Sequence, residues 1–332
     1  MKALINCYVP FQLAHGGAQI QIEQTKAALE ANGVTVEYLR WWDAAQTADV
    51  IQHFGRWEPG LIRLAQQKGI KVVLSEMLSA QGSRSPLRLA LQRTMMRATR
   101  RAFPFVADRL SWNAYSVADA FIANTQWEGG IMIRMFGASA ERVHILPNGV
   151  ERDFFESPVV ERGPWLVCTG TITERKRVLE LAEAAIAAQA PVWIIGRPYS
   201  EGDPYYCRFR ALAEAQPRWV RYEGGIDDRR QLAAAYRSAR GFALLSTMET
   251  RSLSSEEAAA SGCPLLLSDL PWARSVFGDA AHYCPVDGDT AACLRQFHSA
   301  APTLPPPPLP LTWPQVGQRL RAIYEAICPT PS

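Results

Sequence analysis

The 332-residue sequence has no uninterrupted apolar run long enough to span a membrane, which argues against a membrane-spanning segment. Its first residues, Met1–Cys7, lack the long apolar core and cleavage site of a signal peptide and are typical of a first strand. The seven cysteines are scattered and form no Cys-x-x-Cys pair, which favours a reducing compartment over a disulfide scaffold or a zinc site. The net charge of +3 is too small to indicate a nucleic-acid partner. We therefore expect a cytoplasmic protein.

An apolar fraction of 48% and a charged fraction of 20% are typical of a globular enzyme long enough for two domains. Short apolar runs alternate with helical patterns, which predicts parallel sheets with helices on both faces. Two such series predict an α/β fold of two Rossmann-like domains facing a central cleft. The predicted strands are Ala3–Cys7, Val34–Leu39, Val50–Phe54, Val72–Ser75, Ala120–Ala123, Val143–Leu146, Trp165–Thr169, Val192–Ile195, Val220–Tyr222, Gly241–Ser246, Pro264–Ser268 and His282–Cys284. Helices are predicted at Ala18–Asn32, Leu179–Gln189, Gln231–Ala239 and Trp313–Ile327.

The segment Ser246–Pro264, with the sequence STMETRSLSSEEAAASGCP, carries most of the functional information. It places Glu249 just after a predicted strand and Glu257 eight positions later, in the first turns of a predicted helix. The free N–H groups at that helix start form an anion site, and carboxylates bind sugar hydroxyls. The pattern therefore favours a sugar-nucleotide site. The alternative is an ordinary amphipathic helix with two solvated glutamates.

This segment resembles the E-x7-E signature of retaining glycosyltransferases of the GT-B fold, in particular family 4, the glycosyl transferases group 1. The tail Glu257–Pro264 is similar to the sequence that follows the signature in that family, and His144–Phe155 resembles its interdomain signature. The resemblance implies transfer of a sugar from a nucleotide-diphosphate sugar, which is a co-substrate and not a cofactor. Synthesis of a cell-surface polysaccharide or glycolipid would be a fitting role.

The resemblance also implies domain limits. Residues 1–150 form a first, acceptor-side domain, and residues 151–301 form a nucleotide-sugar-binding domain. The Pro-rich stretch 302–311 is expected to be an extended linker. The terminal helix within 312–328, with Thr312 as N-cap, is expected to cross back and pack on the first domain.

Residue roles in the second domain follow from the same resemblance. Glu257 is expected to hold the ribose hydroxyls of the nucleotide, and Glu249 is expected to contact the transferred sugar. Lys176 occupies the family's diphosphate-binding lysine position after Gly170. Thr171 stands where the family has arginine, and the neighbouring Arg175 is a candidate to replace that cation. These cations would neutralise the departing diphosphate.

Between the two glutamates, the backbone amides of Arg251, Ser252 and Leu253 are expected to bind the donor. The family usually has glycine where this sequence has Thr250 and Ser252, which leaves the identity of the sugar open. Arg251 is also a candidate contact for an acidic sugar. Glu256 has no counterpart in the family and is expected to interact with the helix dipole.

In the first domain, Gly16 and Gly17 lie between the first strand and the first helix, where backbone can approach a diphosphate closely. The adjacent His15 is an acceptor-side candidate, and a solvated loop histidine is the alternative. Glu76 is the second acceptor-side candidate, because Ser75-Glu76-Met77 stands where the family commonly has a histidine near the reacting carbon. A structural role for Glu76 is the alternative.

The segment Arg84–Arg101 is basic, and no acid occurs between Glu76 and Asp108. Helical spacing places one set of arginines on one face and an apolar row on another. The arginines are Arg93, Arg97, Arg100 and Arg101, and the apolar row is Leu87, Leu91 and Met95. Such a helix is compatible with peripheral contact with an anionic membrane, at its inner face, or with an anionic acceptor. The alternative is a solvated basic face on a helix that lies over the core.

The expected partners are a nucleotide sugar and an acceptor of open identity, whether glycan, lipid-linked or small molecule, and not a nucleic acid. No metal is expected, because no Asp-x-Asp motif is predicted at the cleft and the basic side chains can carry the diphosphate. Two alternatives remain. One is a nucleotide-sugar epimerase of the same fold, and the other is a non-catalytic nucleotide-sugar-binding protein.

Overall fold

The computed structural model describes residues 1–9, 11, 16–156 and 160–328. All twelve predicted strands are present, within two residues of the predicted limits. They are β1 Lys2–Cys7, β2 Thr35–Tyr38, β3 Val50–Phe54, β4 Lys71–Ser75, β5 Ala120–Ala123, β6 Val143–Ile145, β7 Leu166–Thr169, β8 Val192–Ile195, β9 Val220–Tyr222, β10 Gly241–Leu244, β11 Leu265–Ser268 and β12 His282–Cys284.

The α-helices follow the strands along the chain. They are α1 Gly17–Ala31, α2 Pro59–Gln67, α3 Ser79–Gly82, α4 Pro86–Ala102, α5 Pro104–Arg109, α6 Ala114–Val117, α7 Gln126–Ile131, α8 Val178–Ala188, α9 Pro204–Ala215, α10 Arg229–Ser238, α11 Leu253–Ala260, α12 Pro271–Phe277, α13 Thr290–Ala300 and α14 Trp313–Ile327. One π-helical turn, Met132–Phe136, extends α7. The 3-10 turn Glu174–Lys176 contains two of the candidate site residues.

The strands form two six-stranded sheets in which every pair is parallel. The first has the order β2-β1-β3-β4-β5-β6 and the second the order β12-β11-β10-β7-β8-β9. This confirms the predicted α/β class with two Rossmann-like sheets. The strands β3, β5, β7, β10 and β11 are buried along their whole length, because helices cover both faces of a parallel sheet. The parallel arrangement places all carboxyl ends of a sheet at one edge, where ligands of such folds bind.

The chain divides into two compact units. The first comprises residues 1–13, 17–149 and 311–332, and the second comprises residues 14–16 and 150–310. Each unit has its own apolar core. The first core includes Leu74, Phe121 and Met132, and the second includes Phe209, Phe242 and Phe297.

The last helix, α14, belongs to the first unit and begins at Trp313, as predicted. The N–H of its N-cap residue Thr312 donates to the Gln315 side chain at 2.9 Å. The helix packs against α1 so closely that a Cβ on Gly317 would lie 2.3 Å from the carbonyl oxygen of Ala28. Glycine is therefore required at this crossing, since any side chain would force the two helices apart.

The orientation of α4 contradicts the alternative given in the sequence analysis, a solvated basic face on a helix that lies over the core. Met96 is its buried residue, whereas Leu87, Leu91 and Met95 point outward and are 81%, 74% and 62% exposed. The predicted solvated face of four arginines is wrong, because Arg100 turns inward and donates to the carbonyl oxygens of Trp112 and Phe136. The apolar row does not lie over the core either, and contact of this helix with an anionic membrane stays a prediction. Among the described residues, no helix is long and apolar enough to cross a membrane.

Candidate functional site

The second sheet brings two loops of the predicted site together. Strands β7 and β10 are hydrogen-bonded neighbours, with Gly241 opposite Leu166 and Phe242 opposite Val167. Their carboxyl ends therefore lie side by side, and so do the segments that follow them. These segments are the turn that contains Lys176 and the loop that contains Glu249.

Lys176 and Arg175 both converge on Glu249. The Lys176 Nζ lies 2.5 Å, and the Arg175 Nη1 2.8 Å, from Glu249 Oε1. The Lys176 and Glu249 side chains are only 11% and 12% exposed. Burial alone would raise the pKa of Glu249, but the charges of Lys176 and Arg175 outweigh it and hold that pKa below its usual range. Glu249 therefore stays ionised at neutral pH, with two basic side chains held against it at the sheet edge.

Backbone contacts hold the two loops in register. The Thr247 N–H donates to the carbonyl oxygen of Arg175 at 2.9 Å. Arg175 returns the contact by donating from Nη1 to the Met248 carbonyl oxygen at 2.8 Å. These bonds join the two loops directly. The position of Lys176 therefore depends on the loop after β10 as well as on the turn in which Lys176 lies.

Two glycines bring the segments that follow β7 and β8 into contact at the carboxyl edge of the second sheet. Gly170, which follows β7, has a φ of +154°. A Cβ on Gly196, which follows β8, would lie 1.9 Å from the Gly170 carbonyl oxygen. A side chain at position 196 would push these two segments apart, so glycine is required there. The sequence analysis missed Gly196. Thr171, the departure from the family pattern, is half-buried in the same segment.

Helix α11 begins at Leu253, and Ser252 is its N-cap, accepting from the Ser255 N–H at 3.3 Å. The backbone of Arg251–Leu253 thus leads into a helix N-terminus that directly follows Glu249. The Arg251 side chain is occupied within the loop, since its Nε lies 2.8 Å from Glu256 Oε1. Glu256 is buried, which raises its pKa against the opposing charge of Arg251. This ion pair weakens the hypothesis that Arg251 contacts an acidic sugar.

Glu257 is buried one turn into α11 and has partners on both carboxylate oxygens. Arg229 donates to its Oε1, and the Tyr236 hydroxyl donates to its Oε2 at 3.1 Å. Burial raises the pKa of Glu257, and the Arg229 charge opposes that shift. The same guanidinium donates to Glu151 at 2.6 Å. A carboxylate oxygen has two lone-pair sites, so these contacts leave acceptor capacity for hydroxyl groups.

The sequence analysis missed Arg229, Tyr236 and Glu151. Arg229 opens α10 directly after its N-cap Asp228 and soon after β9, so it is near the carboxyl edge of the sheet. The position of Arg229 after a strand and at the start of a helix is the sequence signal that could have identified it as a site residue. Glu151 and Tyr236 offered none, because a hydrogen-bond partner far along the chain is visible only in three dimensions.

The remaining predicted residues follow strands of the first sheet in the sequence. Helix α1 begins at Gly17, and Gly16 precedes it with a φ of +146°, a conformation that favours glycine. The residues therefore form the N-terminus of a 15-residue helix after β1. His15 lies outside the described residues.

Glu76 follows β4 and is 3% exposed. Burial raises its pKa, and Arg56 opposes the shift from 3.8 Å, measured from Nε to Glu76 Oε1. The Arg56 guanidinium also lies over the Phe136 ring at 4.5 Å and donates to the Tyr115 hydroxyl at 3.4 Å. Glu76 thus belongs to a buried polar cluster at the sheet edge.

A neighbouring strand of the first sheet contributes His53, which the sequence analysis also missed. Its Nδ1 accepts from the Asn6 side-chain amide at 2.8 Å, and its ring stacks on Trp57 with centroids 5.2 Å apart. Burial lowers the pKa of His53 to about 4, so the ring is neutral at pH 7. Among the described residues, no group of His, Cys, Asp and Glu side chains is arranged to hold a metal ion.

Comparison with known proteins places this geometry in context. The model of glycosyltransferase family 4 matches residues 34–154. A D-inositol 3-phosphate glycosyltransferase from Xylanimonas cellulosilytica is 28% identical over 195 residues, which cover 52% of this chain and 46% of the relative. The match thus covers less than half the length of that curated relative.

Solved structures match over the whole chain. The HepE protein of Anabaena, solved in complex with UDP and glucose, has a TM-score of 0.64 at 13% identity and covers 98% of this chain and 100% of its own. The sucrose-phosphate synthase of Thermosynechococcus elongatus has a TM-score of 0.64 at 17% identity and covers 99% and 96%. At these identities the likeness establishes the fold.

Proposed function

We propose that this protein is a retaining glycosyltransferase that uses a nucleoside-diphosphate sugar, because the model of glycosyltransferase family 4 matches residues 34–154 and the chain has the GT-B fold. One observation carries the proposal. Two cations, Lys176 and Arg175, are fixed against the ionised Glu249 at the carboxyl edge of the second sheet, directly before the N-terminus of α11. This arrangement fits a diphosphate joined to a sugar.

In the proposed complex, the diphosphate binds Lys176, Arg175 and the first N–H groups of α11. Glu249 accepts hydrogen bonds from sugar hydroxyls while it orients both cations, and Glu257 accepts from the ribose hydroxyls. Protein cations thus supply the positive charge that a metal ion supplies in other sugar-nucleotide enzymes. A UDP-sugar is a fitting first donor to test, since the Anabaena neighbour was solved with UDP and glucose.

The reaction breaks the bond between the anomeric carbon and the phosphate oxygen and forms a bond from that carbon to the acceptor oxygen. In a retaining transfer both events occur on one face of the sugar. The acceptor hydroxyl proton passes to the departing phosphate oxygen, so no protein nucleophile is required. Negative charge grows on the diphosphate as the bond breaks, and Lys176 stabilises that charge more in the transition state than in the bound donor.

A panel of nucleotide sugars tests the proposal. At a hundred times its dissociation constant, a ligand adds about 2.7 kcal/mol to the free energy of unfolding, so the true donor is expected to raise the melting temperature clearly. The expected second result is slow donor hydrolysis, and transfer once an acceptor extract is added. The matching nucleoside monophosphate, which lacks the diphosphate, is the control.

Two outcomes would contradict the proposal. Tight binding without turnover in any acceptor extract would favour the non-catalytic binding protein, for which the missing arginine at Thr171 is the specific observation. Conversion of the donor sugar into its epimer would favour the epimerase. Proton NMR of the product then decides retention, because an inverted anomeric configuration would refute a same-face transfer.

A further inference from the structure

The outer face of α4 is apolar, although it faces solvent. Leu87, Leu91 and Met95 recur every four residues, so they lie in one row along the helix. They are among the most exposed large apolar side chains of the described residues. A helix of a globular protein normally turns such a row toward the core. Here the core side is formed by Met96 and the inward-turned Arg100, and the apolar row is left outside.

The apolar surface continues past the end of the helix. Phe103 and Phe105, which follow α4 in the chain, are 55% and 69% exposed. These five residues are called the α4 patch: Leu87, Leu91, Met95, Phe103 and Phe105. Single exposed apolar residues are ordinary, but a row of three followed by two aromatic rings indicates an interaction surface.

Arginines lie on both sides of the row, further round the helix. At about 100° per residue, Arg88 lies about 60° from the mean direction of the row on one side, and Arg101 and Arg97 lie about 80° and about 120° from it on the other. All three are exposed. No aspartate or glutamate occurs between Glu76 and Asp108, so no acid of this segment neutralises them. Long arginine side chains can extend sideways while the apolar residues between them insert into a lipid surface.

From this combination we propose that the α4 patch docks on a lipid bilayer that carries anionic headgroups. The apolar row inserts at the boundary of headgroups and acyl chains, and the flanking arginines bind phosphate groups. The charge selects this occupant over a second copy of the chain, because two copies joined through this face would bring like charges together. The proposal does not depend on the enzymatic activity proposed above.

Vesicle co-sedimentation of the full chain tests the docking. The protein is expected to bind phosphatidylcholine vesicles that contain phosphatidylglycerol at low salt, and to bind pure phosphatidylcholine vesicles at least tenfold more weakly. Binding is expected to weaken as salt rises, because screening shortens the reach of the arginines. Equal binding to both kinds of vesicle, or none to either, would overturn the proposal.

Two double variants separate the contributions of the patch. Leu87→Ser with Leu91→Ser removes apolar surface and leaves the charges, and Arg88→Gln with Arg97→Gln does the reverse. Each is expected to weaken binding to the anionic vesicles at least tenfold. All four residues are exposed, so the fold should tolerate the changes. The control is Leu64→Ser with Leu309→Ser, two leucines that are 54% and 71% exposed elsewhere, and its binding is expected to be unchanged.

Sedimentation velocity without vesicles examines the competing occupant. The wild type is expected to be a monomer whatever its concentration. A dimer that the Leu87→Ser, Leu91→Ser variant dissociates would overturn the proposal and assign the patch to contact between copies. An effect of the Leu64→Ser, Leu309→Ser control equal to that of the patch variants would overturn it as well, because binding would then follow total exposed apolar surface.

Discussion

The two sheets carry a glutamate beside an arginine at corresponding edges, yet the pKa values of the two glutamates are shifted in opposite directions. In the second unit, Glu249 lies within 2.8 Å of both Lys176 and Arg175, and its pKa is lowered in spite of burial. In the first unit, Glu76 lies 3.8 Å from Arg56, and its pKa is raised. Burial is nearly the same for both. The number and distance of the cations therefore decide the direction in which each pKa is shifted.

The aromatic rings around Arg56 explain part of the difference. Its guanidinium is shared between Glu76, the Tyr115 hydroxyl and the face of Phe136, so it does not approach the carboxylate as Lys176 does. Glu76 thus has one cation, which is shared with the Tyr115 hydroxyl and the Phe136 ring, whereas Glu249 has two cations of its own. Two fixed cations suit a diphosphate.

Among the changes that test this comparison, removal of Lys176, the cation nearest to Glu249, is expected to have the largest effect. Lys176→Ala leaves Glu249 with Arg175 alone, which is 40% exposed. We expect turnover to fall roughly tenfold to a thousandfold, if Lys176 supplies about 1.4–4 kcal/mol of transition-state stabilisation. Donor affinity should fall less, because Arg175 and the helix N-terminus remain. Steady-state kinetics together with calorimetric donor affinity provide the measurement.

Two further variants serve as references for Lys176→Ala. Lys176→Arg keeps the charge and is expected to retain more turnover than alanine. Arg210→Ala changes an exposed cation of the same unit, paired with Glu214 on the surface, and is expected to leave turnover unchanged. Equal losses of affinity and turnover in Lys176→Ala would mean that the lysine only anchors the bound donor.

The buried His53 of the first sheet is expected to make the stability of the fold depend on pH. The pKa of His53 is lowered to about 4, so between that pH and its ordinary value the unfolded chain binds more protons than the folded one. Stability is therefore fully present above the ordinary pKa and is lost as pH falls toward 4. The slope is expected to reach about 1.4 kcal/mol per pH unit.

Denaturant unfolding of wild type and His53→Gln at pH 7 and pH 5 measures this slope. Glutamine can still accept from Asn6 but does not titrate. The free energy of unfolding of the variant is expected to decrease by about 1–2 kcal/mol less than that of the wild type over this interval. An identical decrease in both proteins would show that His53 is not buried in its neutral form.

A pair of matched substitutions compares the two glutamates directly. At pH 7, Glu249→Gln is expected to lower the free energy of unfolding by about 2 kcal/mol, because it leaves Lys176 without its counter-charge. Glu76→Gln is expected to change it by less than about 1 kcal/mol, because burial already favours the uncharged carboxyl. Chemical unfolding of both variants provides the measurement.

Glu249 and Glu76 are expected to change the stability of the fold in opposite directions as the pH changes. The lowered pKa of Glu249 gives stability that is present above its ordinary pKa and is lost as pH falls through the folded value. The raised pKa of Glu76 gives stability below its ordinary pKa that is lost as pH rises through the folded value. The difference between the costs of Glu249→Gln and Glu76→Gln in unfolding free energy should therefore become smaller as the pH falls toward 4. Equal costs for both at pH 7 would remove the distinction between the two edges.

The sequence predicted the elements of this comparison better than their contacts. Parallel strands of apolar residues have a strong local pattern, and for that reason the twelve strands could be located from sequence. Lys176 and Glu249 could be placed on adjoining loops through their positions after strands. The pairing of Glu257 with Arg229 and Tyr236 could not, because the three lie on different turns of α10 and α11. The solvated-face alternative for α4 was wrong because helical periodicity gives two faces but not which one packs.

The smallest expected effect concerns Glu257, and it separates a ligand-binding carboxylate from a structural one within the second edge. Glu257→Gln keeps an amide oxygen for Arg229, and the Tyr236 hydroxyl can turn its proton to Thr169, its other neighbour. The fold should therefore survive. Without the charge, the ribose hydroxyls bind a weaker acceptor, and nucleotide affinity is expected to fall about tenfold, or about 1.4 kcal/mol.

Tyr236→Phe is the matched control for Glu257→Gln, because it removes the inner donor and leaves the carboxylate. If Glu257 holds the ribose, calorimetry should show a tenfold loss for Glu257→Gln and a change of less than about twofold for Tyr236→Phe. The loss should vanish with a nucleotide that lacks the ribose hydroxyls, since no group remains to contact the carboxylate. Equal losses in both variants, for both nucleotides, would mean that Glu257 acts through the shape of the α10–α11 network. An unchanged affinity in Glu257→Gln would assign it no part in nucleotide binding, and the ionic character of this edge would then rest on Lys176 and Arg175 alone.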